Sequence, residues 1–234
     1  NVVTLAREAD DSWILEQCAV LPPMKEPFEP DWTTGQYQSI LDALKSKGFL
    51  DEVSPDASGT LNVSVPFCGH FHEYVVLGNF LAEHQEYLGA KHVSIFGMEL
   101  FDDYIRDWAL AERWLWHTHG ISCCIEAGDL AQEPTPFTQW VIGIHPEVTK
   151  GGPWFRIIGS LLRSCSGLLT FATFYEEEKE TLLNMIEMYK TDKAQVDTFE
   201  NPFYASTELG PHPAMRFIIV VSHPLKIAES RGKT

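Results

Sequence analysis

The sequence predicts an α/β fold, in which helices cover both faces of a mostly parallel sheet of seven strands. Short apolar runs bounded by turn residues alternate with segments of helical periodicity from residue 61 to residue 190. A final apolar run at residues 215–222 follows a long connection, so we expect it to join the sheet as an antiparallel strand.

Composition limits the class of protein and the kind of partner. The chain has 234 residues, enough for one sizeable domain, and a formal net charge of −16, which argues against a broad nucleic-acid surface. Its five cysteines are odd in number and lack C-x-x-C spacing, which favours reduced thiols in an intracellular protein of the cytoplasm or of an organelle stroma or matrix. No run is long enough for a transmembrane helix, and because the chain starts at Asn1, a targeting segment could have been removed.

The N-terminal part differs in composition from the rest. We expect residues 1–34 to form an extended arm and residues 35–234 to form one domain. Four prolines between positions 22 and 30 disfavour a long helix, and Met24, Phe28 and Trp32 could anchor the arm. A simple arm is the favoured interpretation, and a lid over a pocket or a strap that binds a partner is the alternative.

The unit around which the chain is organised is a predicted βαβ motif. It consists of a strand at residues 61–65, a turn at residues 66–69, a helix at residues 73–88 and a strand at residues 93–98 that ends on Glu99. A right-handed crossover brings the turn and the acid together at the carboxyl ends of neighbouring strands, where open α/β sheets bind ligands. An acid there is well placed to accept hydrogen bonds from a ribose.

The alternation of helices and strands extends on both sides of this unit. The acidic run at residues 176–178 is interpreted as a solvated helix start, where it suits the helix dipole. Trp108, Trp114 and Trp116 share one predicted helix and cannot all face a core. At least one could belong to an exposed partner surface, and peripheral packing under the N-terminal arm is the other interpretation. The other predicted helices cover residues 36–47, 102–117, 155–165 and 176–190. The other predicted strands cover residues 122–126, 139–144 and 168–174, and residues 197–203 are predicted to be a strand or a loop.

Four motifs at strand ends resemble those of class I S-adenosylmethionine-dependent methyltransferases. VSVPFCGHFHE (residues 63–73) stands where the family has its glycine-rich turn, and its V-P-x-C-G form is similar to that of the thiopurine-methyltransferase-like branch. FGMELFDD (96–103), EAGDL (126–130) and WVIGIHPE (140–147) occupy the places of the second-, third- and fourth-strand motifs. The resemblance implies a three-layer α/β/α Rossmann-like methyltransferase fold, S-adenosylmethionine as cofactor and S-adenosylhomocysteine as product.

The resemblance also implies roles for individual residues. Glu99 would hold the ribose hydroxyls, Asp129 would accept a hydrogen bond from the adenine amino group, and Leu130 would donate its backbone N–H. The cofactor-binding residues implied in this way come from the first three motifs: Pro66, Phe67, Cys68, Gly69, Glu99, Leu100, Asp129 and Leu130.

Histidines replace two features of the family pattern. Gly69 is the one glycine left in the first turn and is followed by His70 and His72, and the fourth strand ends in His145-Pro146 where many members have an acid or Asn-Pro-Pro-Tyr. Methyl transfer often needs a base to take the acceptor's proton, and histidine titrates near neutral pH. His145 is therefore the predicted catalytic residue, with His70 or His72 as alternatives and packing as the other interpretation of each.

Two further side-chain groups invite a chemical interpretation. His70-x-His72-Glu73 could bind zinc with His145 as a third ligand, but zinc needs three or four ligands and no second spaced pair exists, so we expect no metal. Cys68 could be a reactive thiol near a helix start, although packing is favoured.

The leading hypothesis is a methyltransferase that acts on a small molecule or a protein. The alternative is a methyltransferase-like subunit without catalysis, which would join a larger complex through the N-terminal arm or through the helix that carries Trp108 and Trp116. A nicotinamide-dependent enzyme is a weaker third possibility, because the first turn lacks G-x-G-x-x-G.

Overall fold

A computed structural model of the chain describes residues 32–206 and 215–223. The predicted N-terminal arm lies outside the described residues except for its last three positions. Those three positions already belong to the first helix, which begins at Trp32 and not at residue 36. Among the described helices, none combines the length and the apolar character that crossing a membrane requires.

Seven strands form one sheet, in the order β3-β2-β1-β4-β5-β7-β6. Strands β1 to β5 pair in parallel, and β7 runs antiparallel to both of its neighbours, β5 and β6. The predicted mostly parallel sheet with a late antiparallel strand is therefore confirmed. The strands are β1 (Thr60–Pro66), β2 (His92–Glu99), β3 (Ser122–Ala127), β4 (Thr138–Ile144), β5 (Cys165–Thr173), β6 (Gln195–Glu200) and β7 (Phe217–Ser222).

Helices cover both faces of this sheet, which gives three layers. One apolar core contains Leu41, Leu77 and Leu115 from the first three helices, and the other contains Leu161 and Ile186 from the next two. Strands covered on both faces are buried along nearly their whole length and mostly apolar, as β4 and β5 are. The helices are α1 (Trp32–Ser46), α2 (Tyr74–Glu83), α3 (Ile105–His119), α4 (Trp154–Ser164), α5 (Glu176–Tyr189) and α6 (Pro202–Ser206), with 3₁₀ turns at Phe49–Glu52 and Val148–Lys150.

Two further element boundaries differ from the predicted ones, and a glycine lies near each. The helix predicted to reach residue 88 ends at Glu83, and turns follow it up to Gly89, which has a left-handed backbone. Strand β5, predicted to begin at residue 168 after a helix that ends at residue 165, already begins at Cys165 and contains Gly167. A Cβ at Gly167 would lie 2.6 Å from the carbonyl oxygen of Gln139, so this glycine permits close approach of backbones.

The strand order fixes where a ligand can bind. The chain builds outwards from β1 through β2 to β3, and then from β4 to β5 on the other side of β1. The connections from β1 and β4 therefore leave the sheet in opposite directions and open a crevice at the carboxyl ends of these two strands. Open α/β sheets bind ligands at such a point.

Candidate functional site

A cavity of about 700 Å³ opens at this crevice. Its volume lies within the range of about 300–1,000 Å³ that is usual for small-molecule sites. The structure brings all nine residues singled out from the sequence into the lining of this one cavity. They are Pro66, Phe67, Cys68, Gly69, Glu99, Leu100, Asp129, Leu130 and His145.

The first turn has an unusual backbone. Phe67 and Phe71 have φ values of 46° and 55°, a region that non-glycine residues seldom adopt and that recurs at functional sites. The backbone N–H of Phe67 donates to the carbonyl oxygen of Met98 at 2.8 Å, which ties the turn to β2. The Phe67 ring packs edge-on against Trp154 and passes over Gly143, where a Cβ would lie 2.7 Å from it.

Glu99 connects the first turn to the end of β2. Glu99 is 9 % exposed, and its carboxylate accepts hydrogen bonds of 2.8 Å from the backbone N–H groups of Gly69 and Leu100, one on each oxygen. A carboxylate oxygen has two acceptor positions, so each oxygen can still accept a ligand hydroxyl. Glu99 therefore has a structural role, which the sequence did not reveal, in addition to its predicted binding role.

Asp129 is held at the rim of the cavity by its own loop. Its carboxylate accepts hydrogen bonds from the backbone N–H of Ala131 at 2.9 Å and from Nε2 of Gln132 at 2.6 Å. Such contacts are typical of aspartate in tight turns, and they fix the orientation of the carboxylate. Leu130 is buried beside it and supplies an apolar wall.

His145 sits at the end of β4 with a left-handed backbone (φ 50°) and donates its N–H to the carbonyl oxygen of Ala172 at 2.8 Å. Its ring packs on Phe174, with 4.1 Å between ring centroids. Its Nε2 lies 3.4 Å from Oε1 of Glu178, whereas Nδ1 has no hydrogen-bond partner among the described residues. The histidine ring is thus oriented by groups on the next strand and helix.

Glu178 corrects the prediction of a solvated acidic run. It is only 3 % exposed, and its Oε2 accepts hydrogen bonds of 3.2 Å from the backbone N–H groups of Phe174 and Tyr175. Glu176, by contrast, is exposed and pairs with Lys179. Tyr175 precedes the helix and Glu178 is the third residue of the helix, a spacing that is typical of helix capping. This spacing is visible in the sequence and is the signal that could have predicted the buried position of Glu178.

Three side chains that line the cavity have raised pKa values. Burial raises the pKa of Glu73, and burial together with the charge of Glu73 raises the pKa of Tyr37 well above its usual value. Burial, followed by the charge of Glu99, raises the pKa of Cys68, so this thiol stays protonated. Cys68 also precedes the start of α2 by six residues, so the structure favours its packing role over a reactive one.

The tryptophan-rich helix α3 supports the first turn from outside. Trp108 is buried and donates its Nε1–H to the carbonyl oxygen of Gly69 at 2.7 Å. Trp114 packs edge-on against Tyr74, and Trp116 is exposed. The prediction that the three tryptophans cannot all face the core is confirmed.

The histidines of the first turn do not combine with the residues proposed from the sequence as metal ligands. His70 and His72 line the cavity and are exposed. Within the described residues, the metal-capable side chains that lie within 4.8 Å of one another are His70, His72 and Asp107, so neither Glu73 nor His145 joins them.

Known proteins resemble this chain in fold and not in sequence. No protein-family model matches the sequence, and no curated protein is similar to it. The [4+2]-cyclase SpnF superposes on 81 % of this chain and 82 % of its own, with 12 % identity and a TM-score of 0.51. The methyltransferase domain of bacterial CtHen1-CN covers 82 % of this chain and 100 % of its own, with 10 % identity and a TM-score of 0.51.

An rRNA methylase from Streptococcus thermophilus covers 78 % of this chain and 95 % of its own, with 13 % identity and a TM-score of 0.50. Identities this low show the fold alone. The chain therefore has the Rossmann-like fold of the class I S-adenosylmethionine-dependent methyltransferases, as predicted. Because one of these neighbours is a cyclase, the fold does not decide the chemistry, and the site has to be argued from its residues.

Proposed function

We propose that the chain binds S-adenosylmethionine in the 700 Å³ cavity and transfers its methyl group to a small molecule or a protein. The observation that supports this most is the convergence of the first turn, Glu99 and Asp129 on one cavity at the point where the strand order reverses. The first turn follows β1, Glu99 ends β2 and Asp129 lies in the loop after β3, which are the places where the family resemblance implies the glycine-rich turn, the ribose contact and the adenine contact.

The lining suits the charge and shape of this cofactor. Carboxylates of Glu99 and Asp129 lie on the side proposed for ribose and adenine, and Leu100 and Leu130 supply apolar surface for the flat base. The positive sulfonium would lie in a cavity without a lysine or arginine among its described lining residues. The V-P-F-C-G form of the first turn further supports a likeness to the thiopurine-methyltransferase-like branch.

Methyl transfer requires alignment and a place for one proton. A lone pair of the acceptor attacks the methyl carbon, and the carbon–sulfur bond breaks with its electron pair staying on sulfur, which yields S-adenosylhomocysteine. The acceptor's proton then goes to a base, for which we propose His145. Glu178 beside Nε2 favours the tautomer with the proton on Nε2, so Nδ1 accepts the transferred proton and Glu178 stabilises the resulting imidazolium.

A second candidate function is a ligand-binding or accessory subunit without catalysis. Two observations favour it: the family's glycine run is replaced by a turn with a single glycine, Gly69, and helix α3 exposes the apolar side chain of Trp116. The open cavity argues against a degenerate site that its own side chains fill. The Phe71 side chain is buried in the core, and the space in front of Gly69 is open. Binding without turnover would identify this second function.

The setting of the protein is part of the proposal. Cys68, Cys123 and Cys165 are free thiols, which suits a reducing compartment such as the cytoplasm or an organelle stroma or matrix. The net charge of −16 favours an acceptor other than nucleic acid, since phosphate binding needs clustered lysine and arginine.

Calorimetric titration with S-adenosylhomocysteine tests the cofactor site. We expect micromolar binding that weakens by about 10- to 100-fold in Glu99→Gln. The substitution replaces one carboxylate oxygen, which accepts a hydrogen bond from Gly69 or Leu100 and would accept one from the ribose, with an amide NH₂ group that can only donate. Glu126→Gln is the matched control, since Glu126 is an exposed glutamate on the neighbouring strand β3 outside the cavity. Undetectable binding by the unaltered chain, or equal affinity in Glu99→Gln, would remove the proposal.

A further inference from the structure

Three side chains outside the nine predicted site residues meet at one place. His70 and His72 come from the first turn, and Asp107 comes from α3, 35 positions after His72. One ligand atom from each lies within 4.8 Å of the other two, and Nδ1 of His70 is 2.6 Å from Oδ2 of Asp107. Two imidazoles and a carboxylate are a ligand set that zinc and similar divalent ions prefer.

The first-turn side of this cluster is held in place by buried neighbours. Phe71, between the two histidines, is 1 % exposed and has a left-handed backbone, so its anchoring leaves the flanking histidines at the surface. The rings of His70 and His72 are 4.7 Å apart, and Tyr104 packs on His70 with 4.1 Å between centroids. Both histidine rings are therefore placed close together by the fold without an ion.

The helix side is fixed by the residue next to Asp107. Trp108 is buried and donates its indole N–H to the carbonyl oxygen of Gly69, which immediately precedes His70. This bond sets the distance between α3 and the first turn. Ligands that are held in position before an ion arrives lose little conformational freedom on binding it, which favours affinity.

The geometry of the cluster suits a small ion after a modest shift. Ligand atoms about 2.0 Å from a tetrahedral zinc lie roughly 3.3 Å from one another. The 2.6 Å distance between Nδ1 of His70 and Oδ2 of Asp107 must therefore lengthen by less than about 1 Å when zinc binds. A pair of ligand atoms at the 4.8 Å limit must approach each other by more than about 1 Å. Both side chains of the contact are about half exposed, so they can move without disturbing the core.

We infer that His70, His72 and Asp107 form a binding site for one divalent transition-metal ion, with zinc as the best match. Three protein ligands leave a fourth position open, the arrangement found in zinc sites that bind a further ligand or water. Because His70 and His72 also line the cavity, the ion would bring positive charge to its edge, where it could bind an anionic group. The site does not depend on the methyltransferase proposal.

Metal titration of the full chain, first stripped with a chelator, tests this inference. We expect calorimetry with zinc at neutral pH to show one ion per chain, and each of Asp107→Asn and His72→Ala to weaken binding by about tenfold or more. The matched controls are Asp103→Asn and His117→Ala, an exposed aspartate two residues before α3 and an exposed histidine near the end of that helix. These controls should bind zinc as the unaltered chain does.

Cobalt(II) provides a second, spectroscopic measurement that does not depend on activity. Nitrogen and oxygen ligation should give visible absorption that His72→Ala abolishes, without the near-ultraviolet band of a cobalt–thiolate bond. Unfolding curves check that the variants fold, and His72→Gln replaces His72→Ala if that variant does not. The inference is overturned by absent zinc binding at millimolar concentration, by a thiolate band, or by unchanged affinity in Asp107→Asn combined with His72→Gln.

Discussion

The two halves of the cavity are built in different ways. In the β1–β2 half, Glu99 accepts hydrogen bonds from Gly69 and Leu100, so the contacts that hold this acid are all made within one βαβ unit. In the β4–β5 half, His145 is oriented by Glu178, which lies across β5 on the next helix. Fixed backbone donors around an acid suit the binding of a cofactor, whereas an oriented histidine suits proton transfer.

We therefore expect substitutions in the two halves to separate. Changes in the β4–β5 half should lower the rate of methyl transfer and leave cofactor affinity unchanged. Changes in the β1–β2 half should weaken the affinity and affect the rate at saturating cofactor much less. This expected separation rests on the proposed function, and each of the following experiments can contradict it.

The largest effect is expected for His145→Asn. Asparagine tolerates the left-handed backbone of this position but cannot act as a base, so the rate of S-adenosylhomocysteine release with a screened acceptor should fall about 100-fold or more. Affinity for S-adenosylhomocysteine should stay within about twofold. The matched control is His223→Asn, since His223 has the same φ of 50° and lies outside the cavity. An unchanged rate in His145→Asn would remove this residue as the base.

A smaller effect is expected for Glu178→Gln. The amide removes the charge beside His145 and weakens the acceptor for the N–H groups of Phe174 and Tyr175, so the free energy of unfolding should fall by about 1–3 kcal/mol. Urea unfolding measures this loss, and the rate should also fall, by about tenfold, because Glu178 positions the His145 ring.

Glu176→Gln is the control for this experiment, since Glu176 is exposed and its pair with Lys179 should contribute about 0–1 kcal/mol. Equal losses of stability in the two variants would show that Glu178 is no more important than a surface acid. A loss of stability with an unchanged rate of methyl transfer would show that Glu178 stabilises the start of α5 and does not position His145.

The smallest effect is expected for Trp108→Phe, in the β1–β2 half. Phenylalanine keeps most of the buried aromatic surface but leaves the carbonyl oxygen of Gly69 without its donor, at a cost of about 1–2 kcal/mol in unfolding free energy. Affinity for S-adenosylhomocysteine should weaken by about three- to tenfold, because the first turn is less firmly held. Trp116→Phe, on the exposed part of the same helix, should change neither quantity. A slower rate at unchanged affinity in Trp108→Phe would contradict the division between the halves.

Much of the fold and the gathering of the candidate site follow from the sequence. Apolar runs that alternate with helical segments identify parallel strands, and the right-handed crossover rule forces the ends of such strands to one edge. For that reason Gly69, Glu99, Asp129 and His145, far apart in the chain, line one cavity. Whether these residues bind the cofactor and move the proton stays a prediction.

The sequence by itself thus determined the class of fold, the late antiparallel strand and the strand ends that line the cavity, because these depend on local periodicity and handedness. Only the tertiary structure decided that Glu178 is buried against His145, that Trp108 holds Gly69 and that Asp107 joins His70 and His72. Those contacts join residues more than 30 positions apart in the chain. They depend on how helices dock on the sheet, and docking is set by packing of the cores and not by any pattern along the chain.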